Sequence, residues 1–239
     1  MRNEELGINH TCQVEGQHEP TALFRDESIL VVYKPYGVLS EFDAHKPNMP
    51  SLLKDKAGCD PVYPVHRLDR TTQGVMVYAL SEDAARRLSA MIQQGQLEKT
   101  YLAVVEGVPE GSQGEYTDLL YFDRRKNKSY VVKRERKGVK QARLQYEVLQ
   151  TIGHEGKQIS LLRIRLMTGR THQIRVQFAS RKMPLVGDRR YGSHIPADHI
   201  QLCSAKLSFT HPFTGEELSF SYEPTDEYFK LFDQISEQK

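Results

Sequence analysis

Little in this sequence points to an extracellular, membrane-bound or metal-dependent protein. Its 3 cysteines, Cys12, Cys59 and Cys203, are odd in number and far apart, which suits neither a disulfide framework nor a zinc-binding spacing. They are read as reduced and structural. Apolar stretches are no longer than a strand, residues 29–33 being typical, so no transmembrane helix is expected. Residues 1–19 lack an apolar core and carry Glu4, Glu5, Glu15 and Glu19, which argues against a secretory or transit signal and for a cytoplasmic protein. Its 9 histidines include no HExxH pair, and no GxxxxGK[ST] or GxGxxG loop could cradle a nucleotide. Neither a metal nor a nucleotide cofactor is indicated.

What is present suffices for a folded domain. Of 239 residues, 38% are hydrophobic and 27% charged, which excludes wholesale disorder. The formal net charge is only +2, yet the charges are segregated. Arg124, Arg125, Lys126, Lys128, Lys133, Arg134, Arg136, Lys137, Lys140 and Arg143 form a run interrupted by the single acid Glu135. A second basic region spans residues 163–190, whereas the C-terminal part is acidic. Basic clusters interleaved with Tyr130 and Tyr146 suit a phosphate backbone, because each neutralised phosphate releases counterions. On charge alone the run reads equally well as a solvated, flexible loop.

The apolar pattern predicts many strands and few helices. A hairpin is expected from Thr21–Arg25 and Ile29–Lys34, then a buried strand over residues 75–80 and a helix that Ser81 caps and Gly95 stops. A strand follows at residues 100–105, and residues up to 143 read as an extended basic excursion with some strand content. Two strands then lead to a short helix holding Ile174 and Phe178. Residues 202–210 and 217–222 form a closing hairpin, and residues 226–235 a terminal amphipathic helix. No regular βα alternation is present, so the class is α+β with a mixed, largely antiparallel sheet. Residues 1–20 are read as an extension and 21–239 as one domain.

Two segments set charged residues at the mouth of apolar elements. In HRLDRTTQG, Asp69 lies between Arg67 and Arg70, a carboxylate with two cationic neighbours suited to serve as nucleophile or base. In LMTGRTHQIRVQ a strand gives way to a helix carrying Arg175. Taken alone, each could be a surface ion-pair cluster or a helix cap.

The two segments resemble the HRLDRDTSG and LxTGRTHQIRVH motifs of the RluA-type pseudouridine synthases. KPYGV, EKTYLAVVEG, PLVGDRRYG and LCSAKLSFTHPFTGE resemble that family's KPxGx, KxYxAxVxG, PxxGDxxYG and LHAxxLxFxHPxTGE segments in the same order. Together they cover nearly everything between Thr21 and Tyr222. The resemblance implies isomerisation of uridine in ribosomal or transfer RNA, with no cofactor and no metal, by a pseudouridine synthase catalytic fold. It implies Asp69 as the reacting carboxylate, Arg175 as its charge partner, and Tyr101 against the uracil ring. Arg67 would fill the space left by the flipped base or hold a phosphate. Ile174 adds apolar contact or is simply core, and Arg170 joins the substrate-binding set.

His66 and Arg70 are expected to orient the loop, and Gly74 and Gly169 to serve backbone conformation. Gln73, Gln177 and Cys203 replace the family's usual Ser, His and His, which bears on substrate choice. With no room for a separate N-terminal RNA-binding domain, Arg124, Arg125, Lys126 and Lys128 are expected to lead a mobile RNA clamp on a chain that acts as a monomer. The competing class is a non-catalytic RNA-binding or RNA-folding chaperone of the same fold. A hydrolase acting through Asp69 lacks the second acid that glycoside chemistry uses.

Overall fold

The computed structural model describes residues 8–12, 19–58 and 60–232. In chain order its strands are β1 (Ile8–Cys12), β2 (Thr21–Arg25), β3 (Ile29–Lys34), β4 (Tyr63–Pro64), β5 (Gln73–Ala79), β6 (Leu97–Glu106), β7 (Gln113–Asp123), β8 (Lys128–Val132), β9 (Val139–His154), β10 (Lys157–Leu166), β11 (Leu202–Thr210) and β12 (Glu217–Tyr222). Helix α1 (Met49–Ala57) follows β3, α2 (Glu82–Gln93) follows β5, and α3 (Gln173–Ala179) follows β10. The chain divides into two compact units, Met1–Lys99 with Ser204–Glu223, and Thr100–Cys203 with Pro224–Lys239.

In the first unit β3 pairs antiparallel with both β2 and β5, β5 lies beside β11, and β11 pairs antiparallel with β12. Every residue of β3 and β5 is buried, which is why both read as continuous apolar runs rather than as alternating ones. Strand β1 pairs in parallel with β12, a contact that the sequence pattern does not announce. Ser81 caps α2 by accepting from Ala84 N at 3.2 Å, with Glu82 and Asp83 favourably placed at the positive end of the helix dipole.

The second unit orders its strands β6-β10-β9-β7-β8, all antiparallel, and β9 carries an extra residue, Leu149, where its register against β10 shifts between Leu161 and Leu162. Helix α3 lies against this sheet: Val176 packs with Leu120 and Ala142, and the Phe178 ring meets those of Tyr116 and Tyr146 at 5.1 and 5.8 Å.

Two expectations need correction. The basic excursion holds more than the expected share of strand: most of residues 113–143 lie in β7, β8 and the start of β9, and the charges collect at two turns. Their side chains disguise the alternation, since β9 buries Ala142, Leu144 and Tyr146 between exposed polar residues. The terminal amphipathic helix is, over its described part, a single 3-10 turn, Phe229–Leu231. Tyr228, Phe229 and Phe232 are buried around it, so the apolar residues fill the core without forming an α-helix, and Ile235 lies outside the described residues.

Candidate active site

In the first unit the HRLDR loop is braced at both ends. Ahead of Asp69, His66 Nε2 accepts from Val77 N at 3.1 Å. Burial, helped by the nearby Lys99 charge, holds this imidazole well below its usual range and therefore neutral. Ser40 Oγ accepts from Leu68 N at 3.0 Å and donates to the Leu68 carbonyl at 2.9 Å. Behind Asp69, Arg70 Nε donates to the Gly37 carbonyl at 2.9 Å, and Gly37 N returns a bond to the Arg70 carbonyl at 2.7 Å. His66 and Arg70 thus orient the loop, as expected, and Asp69 stands between their anchors. Thr72 N closes the turn onto the Asp69 carbonyl at 3.0 Å.

Gly74, second in the buried run of β5, has φ +119°, and a Cβ there would lie 2.3 Å from the Ser204 carbonyl oxygen, so only glycine fits. Gly169 corrects the parallel expectation, for its φ is not left-handed and a Cβ would meet nothing within 4 Å.

Lys34, from KPYGV, is the site residue that the sequence reading passed over. Its ammonium is buried and donates to the Pro35 and Val38 carbonyls at 2.9 and 2.8 Å. Burial pulls it down to about 7, against the opposing pull of the Asp69 charge and with a smaller push from Arg70. A cation within electrostatic reach of Asp69 therefore comes from the strand before the KPYGV turn. Arg67, by contrast, faces water and meets Glu41 at 3.2 Å.

In the second unit Tyr101 is buried on β6, paired in register with Ile164 of β10. The TGRTHQ turn is organised by the Gln173 side chain, which accepts from Thr168 Oγ1 at 2.8 Å and Arg170 N at 3.0 Å and donates to the Arg143 carbonyl at 3.1 Å. Arg170 directs its Nε to the Gln141 carbonyl at 2.9 Å. His172, at φ 54°, turns the chain into α3, on which Ile174 and Arg175 are both buried.

Arg175 grips Asp188 with two hydrogen bonds, Nε to Oδ2 at 2.6 Å and Nη2 to Oδ1 at 2.9 Å. A two-pronged pair of this kind fixes the guanidinium plane. Asp188 belongs to GDRRYG, a segment matched above without a role; its acid was the available signal for a partner.

The turn between β7 and β8 exposes Arg124, Arg125 and Lys126. Lys128 is less accessible, donating to the Arg190 carbonyl at 2.8 Å. The three departures from the family pattern are all buried. Gln73 accepts from the Tyr33 hydroxyl at 2.8 Å, Gln177 donates to Asp118 Oδ2 at 2.8 Å, and burial pushes the Cys203 thiol well up. Among the described residues no cluster of three or more His, Cys, Asp or Glu is placed to hold a metal ion, and no helix is long and apolar enough to cross a membrane.

Residues 28–180 match the family of RNA pseudouridylate synthases. The chain is 36% identical over 217 residues to tRNA pseudouridine synthase C of Yersinia pestis, covering 83% of this chain and 84% of the relative. It is 30% identical to the dual-specificity RNA pseudouridine synthase RluA of Haemophilus influenzae, covering 83% and 90%. In fold it is similar to human RNA pseudouridylate synthase domain containing 1, with a TM-score of 0.72 at 22% identity over 88% of this chain and 85% of that one. The collinear motifs and these matches agree, and the chain belongs to the RluA-type family of RNA pseudouridine synthases.

Proposed function

We propose that this enzyme isomerises a uridine of transfer RNA, with Asp69 as the reacting carboxylate, Arg175 as its charge partner and Tyr101 against the uracil. The observation that carries the tRNA assignment is that relatives named tRNA pseudouridine synthase C match at 36%, 31% and 30% identity over more than four fifths of this chain. A ribosomal target is the alternative, favoured by the dual-specificity relative.

The reaction exchanges one glycosidic bond for another. The bond from uracil N1 to the sugar breaks, the ring turns, ring carbon 5 bonds to the sugar, and the proton lost from carbon 5 is balanced by one gained at N1. No electrons or atoms enter from outside, so side chains alone can supply the chemistry. A carboxylate held ionised in a site that excludes water is the central requirement. The base must also leave its stack. Arg67 takes the vacated space or a phosphate, and Ile174 and Arg170 line the approach. Arg124, Arg125, Lys126 and Lys128 hold backbone phosphates, which position the RNA without reacting. The enzyme works as a monomer in the cytoplasm.

Asp69→Asn, nearly isosteric and uncharged, is expected to abolish isomerisation while RNA binding and melting temperature stay close to wild type. The assay is pseudouridine formed in bulk tRNA from cells lacking the gene, with ribosomal RNA from the same cells in parallel. Turnover by the variant at the wild-type rate would remove Asp69 from the mechanism, and product confined to ribosomal RNA would overturn the tRNA assignment.

A further inference from the structure

Tyr191 ends the 3-10 turn Arg189–Tyr191 that begins just after Asp188. The Arg175 guanidinium carbon lies 5.0 Å from the centroid of its ring, so Asp188 holds the guanidinium by an edge while Tyr191 adjoins its plane. The ring also packs on the cluster of Leu120, Ala142 and Val176 beneath α3.

The hydroxyl is used fully. It accepts from Ser129 N at 2.8 Å, donates to the Ser129 carbonyl at 3.2 Å and meets His172 Nδ1 at 3.0 Å. One hydroxyl has one hydrogen, so with that hydrogen on Ser129 the imidazole is the donor in the third bond. His172 is the residue whose left-handed backbone launches α3, one turn ahead of Arg175. That conformation is unfavourable for a residue with a Cβ and needs holding. Tyr191 also touches the basic turn: Lys128 Nζ lies 5.0 Å from its ring centroid, and the neighbouring Arg190 Nη1 donates to the Lys126 and Asn127 carbonyls at 3.0 and 3.2 Å.

We propose that Tyr191 is the positioning residue for Arg175, fixing the guanidinium with its ring and the start of α3 with its hydroxyl. A residue that only filled space would need the ring and not the three hydrogen bonds. The proposal rests on the reading of Arg175 as the partner of the reacting carboxylate, and the test separates the two.

Tyr191→Phe, Tyr191→Leu and Arg175→Ala are compared in the full-length chain, using bulk tRNA from cells lacking the gene. The readouts are the single-turnover rate at saturating RNA, the RNA dissociation constant and the melting temperature. Tyr191→Phe is expected to bind RNA as the wild type does and to react more slowly, with Tyr191→Leu slower still. Together they should span about 10–100-fold, the range seen when a group that orients a metal ligand is removed. Wild-type rates at saturation for Tyr191→Phe and Tyr191→Leu, or a loss confined to RNA affinity, would overturn the proposal. If Tyr191→Leu does not fold, Tyr191→Phe decides alone. A wild-type rate for Arg175→Ala would instead remove the premise.

Discussion

Two arginine–carboxylate pairs in this molecule have the same chemistry and opposite settings. Arg175 and Asp188 expose 4% and 1% of their side chains, while Arg67 and Glu41 expose 63% and 56%. In the interior neither partner can turn to water, so the geometry is fixed and removing one side strands the other charge. At the surface the attraction is screened, and either partner can exchange the other for a counterion at little cost. The buried pair therefore fixes the direction of its guanidinium, and the exposed pair leaves Arg67 able to trade Glu41 for another anion.

The sharpest way to break this contrast is to cut the buried pair. Arg175→Ala is expected to lose most turnover and about 3–5 kcal/mol of stability, since Asp188 is left buried and charged. The double variant Arg175→Met with Asp188→Leu should regain much of that stability and none of the activity. Denaturant melts and single-turnover rates check both, and an inactive but fully stable Arg175→Ala would show that Asp188 finds other compensation.

A buried charge without a full carboxylate partner should behave differently again. Lys34 loses its proton near pH 7 in the folded chain against 10.5 for the ordinary side chain, burial being the main cause. Between those values the unfolded chain binds more protons, so stability rises with pH across that window, by up to about 1.4 kcal/mol per unit. Below it the cost of the buried ammonium is fully present. Lys34→Met lacks this rise, so the wild type should gain on the variant between about pH 6.5 and pH 9.5 in urea melts. Parallel pH dependences would show that Lys34 does not titrate there.

Exposed charges should register in binding rather than in folding. Neutralising Arg124 and Arg125 is expected to lower the slope of log affinity against log salt by roughly 0.7–0.9 per lost phosphate contact, with the rate at saturation unchanged. Lys128 is best left intact because it ties the turn to the Arg190 carbonyl. An unaltered slope from salt titrations would place the RNA elsewhere, along residues 163–190. The smallest effect belongs to Glu41→Gln, which should change stability by less than about 1 kcal/mol and modestly tighten RNA binding by releasing Arg67. Weaker binding in that variant would mean the pair is needed intact.

Features with a local cause could be read in the sequence. The Ser81 cap, the buried run of β5 and the β11–β12 hairpin each depend on residues close in the chain. The bracing role of His66 and Arg70 could be read from their place beside Asp69, although their partners, Val77 and Gly37, lie 11 and 33 residues away. What escaped depends on distant partners. Asp188 lies thirteen residues from Arg175, and nothing in their spacing announces a shared pair. Lys34 looked like a polar strand end before a proline, yet it points inward to two carbonyls of the next turn. Gly74 and Gly169 are alike on paper, and only the approach of Ser204 separates the constrained one from the unconstrained one. Charge also concealed order, since the side chains of β7 to β9 suggested an excursion with only some strand content where three antiparallel strands lie, β7 between β8 and β9.

The parallel pairing of β1 with β12 bears on how the chain folds as it is made. The first unit is assembled from Met1–Lys99 and Ser204–Glu223, whereas most of the second is the single stretch Thr100–Cys203. During synthesis β7 with β8, and then β9 with β10, can close as hairpins as soon as they emerge, with β7 joining β9 over a longer span of the same continuous stretch. Strand β5, buried along its whole length in the finished molecule, must meanwhile keep the edge that β11 will cover, an open template for wrong pairing. Relief comes late, with β11 and then β12, and β12 is also the strand that receives β1. A nascent chain halted before Ser204 would therefore hold a second unit with its sheet already formed and a first unit still waiting for its remaining strands.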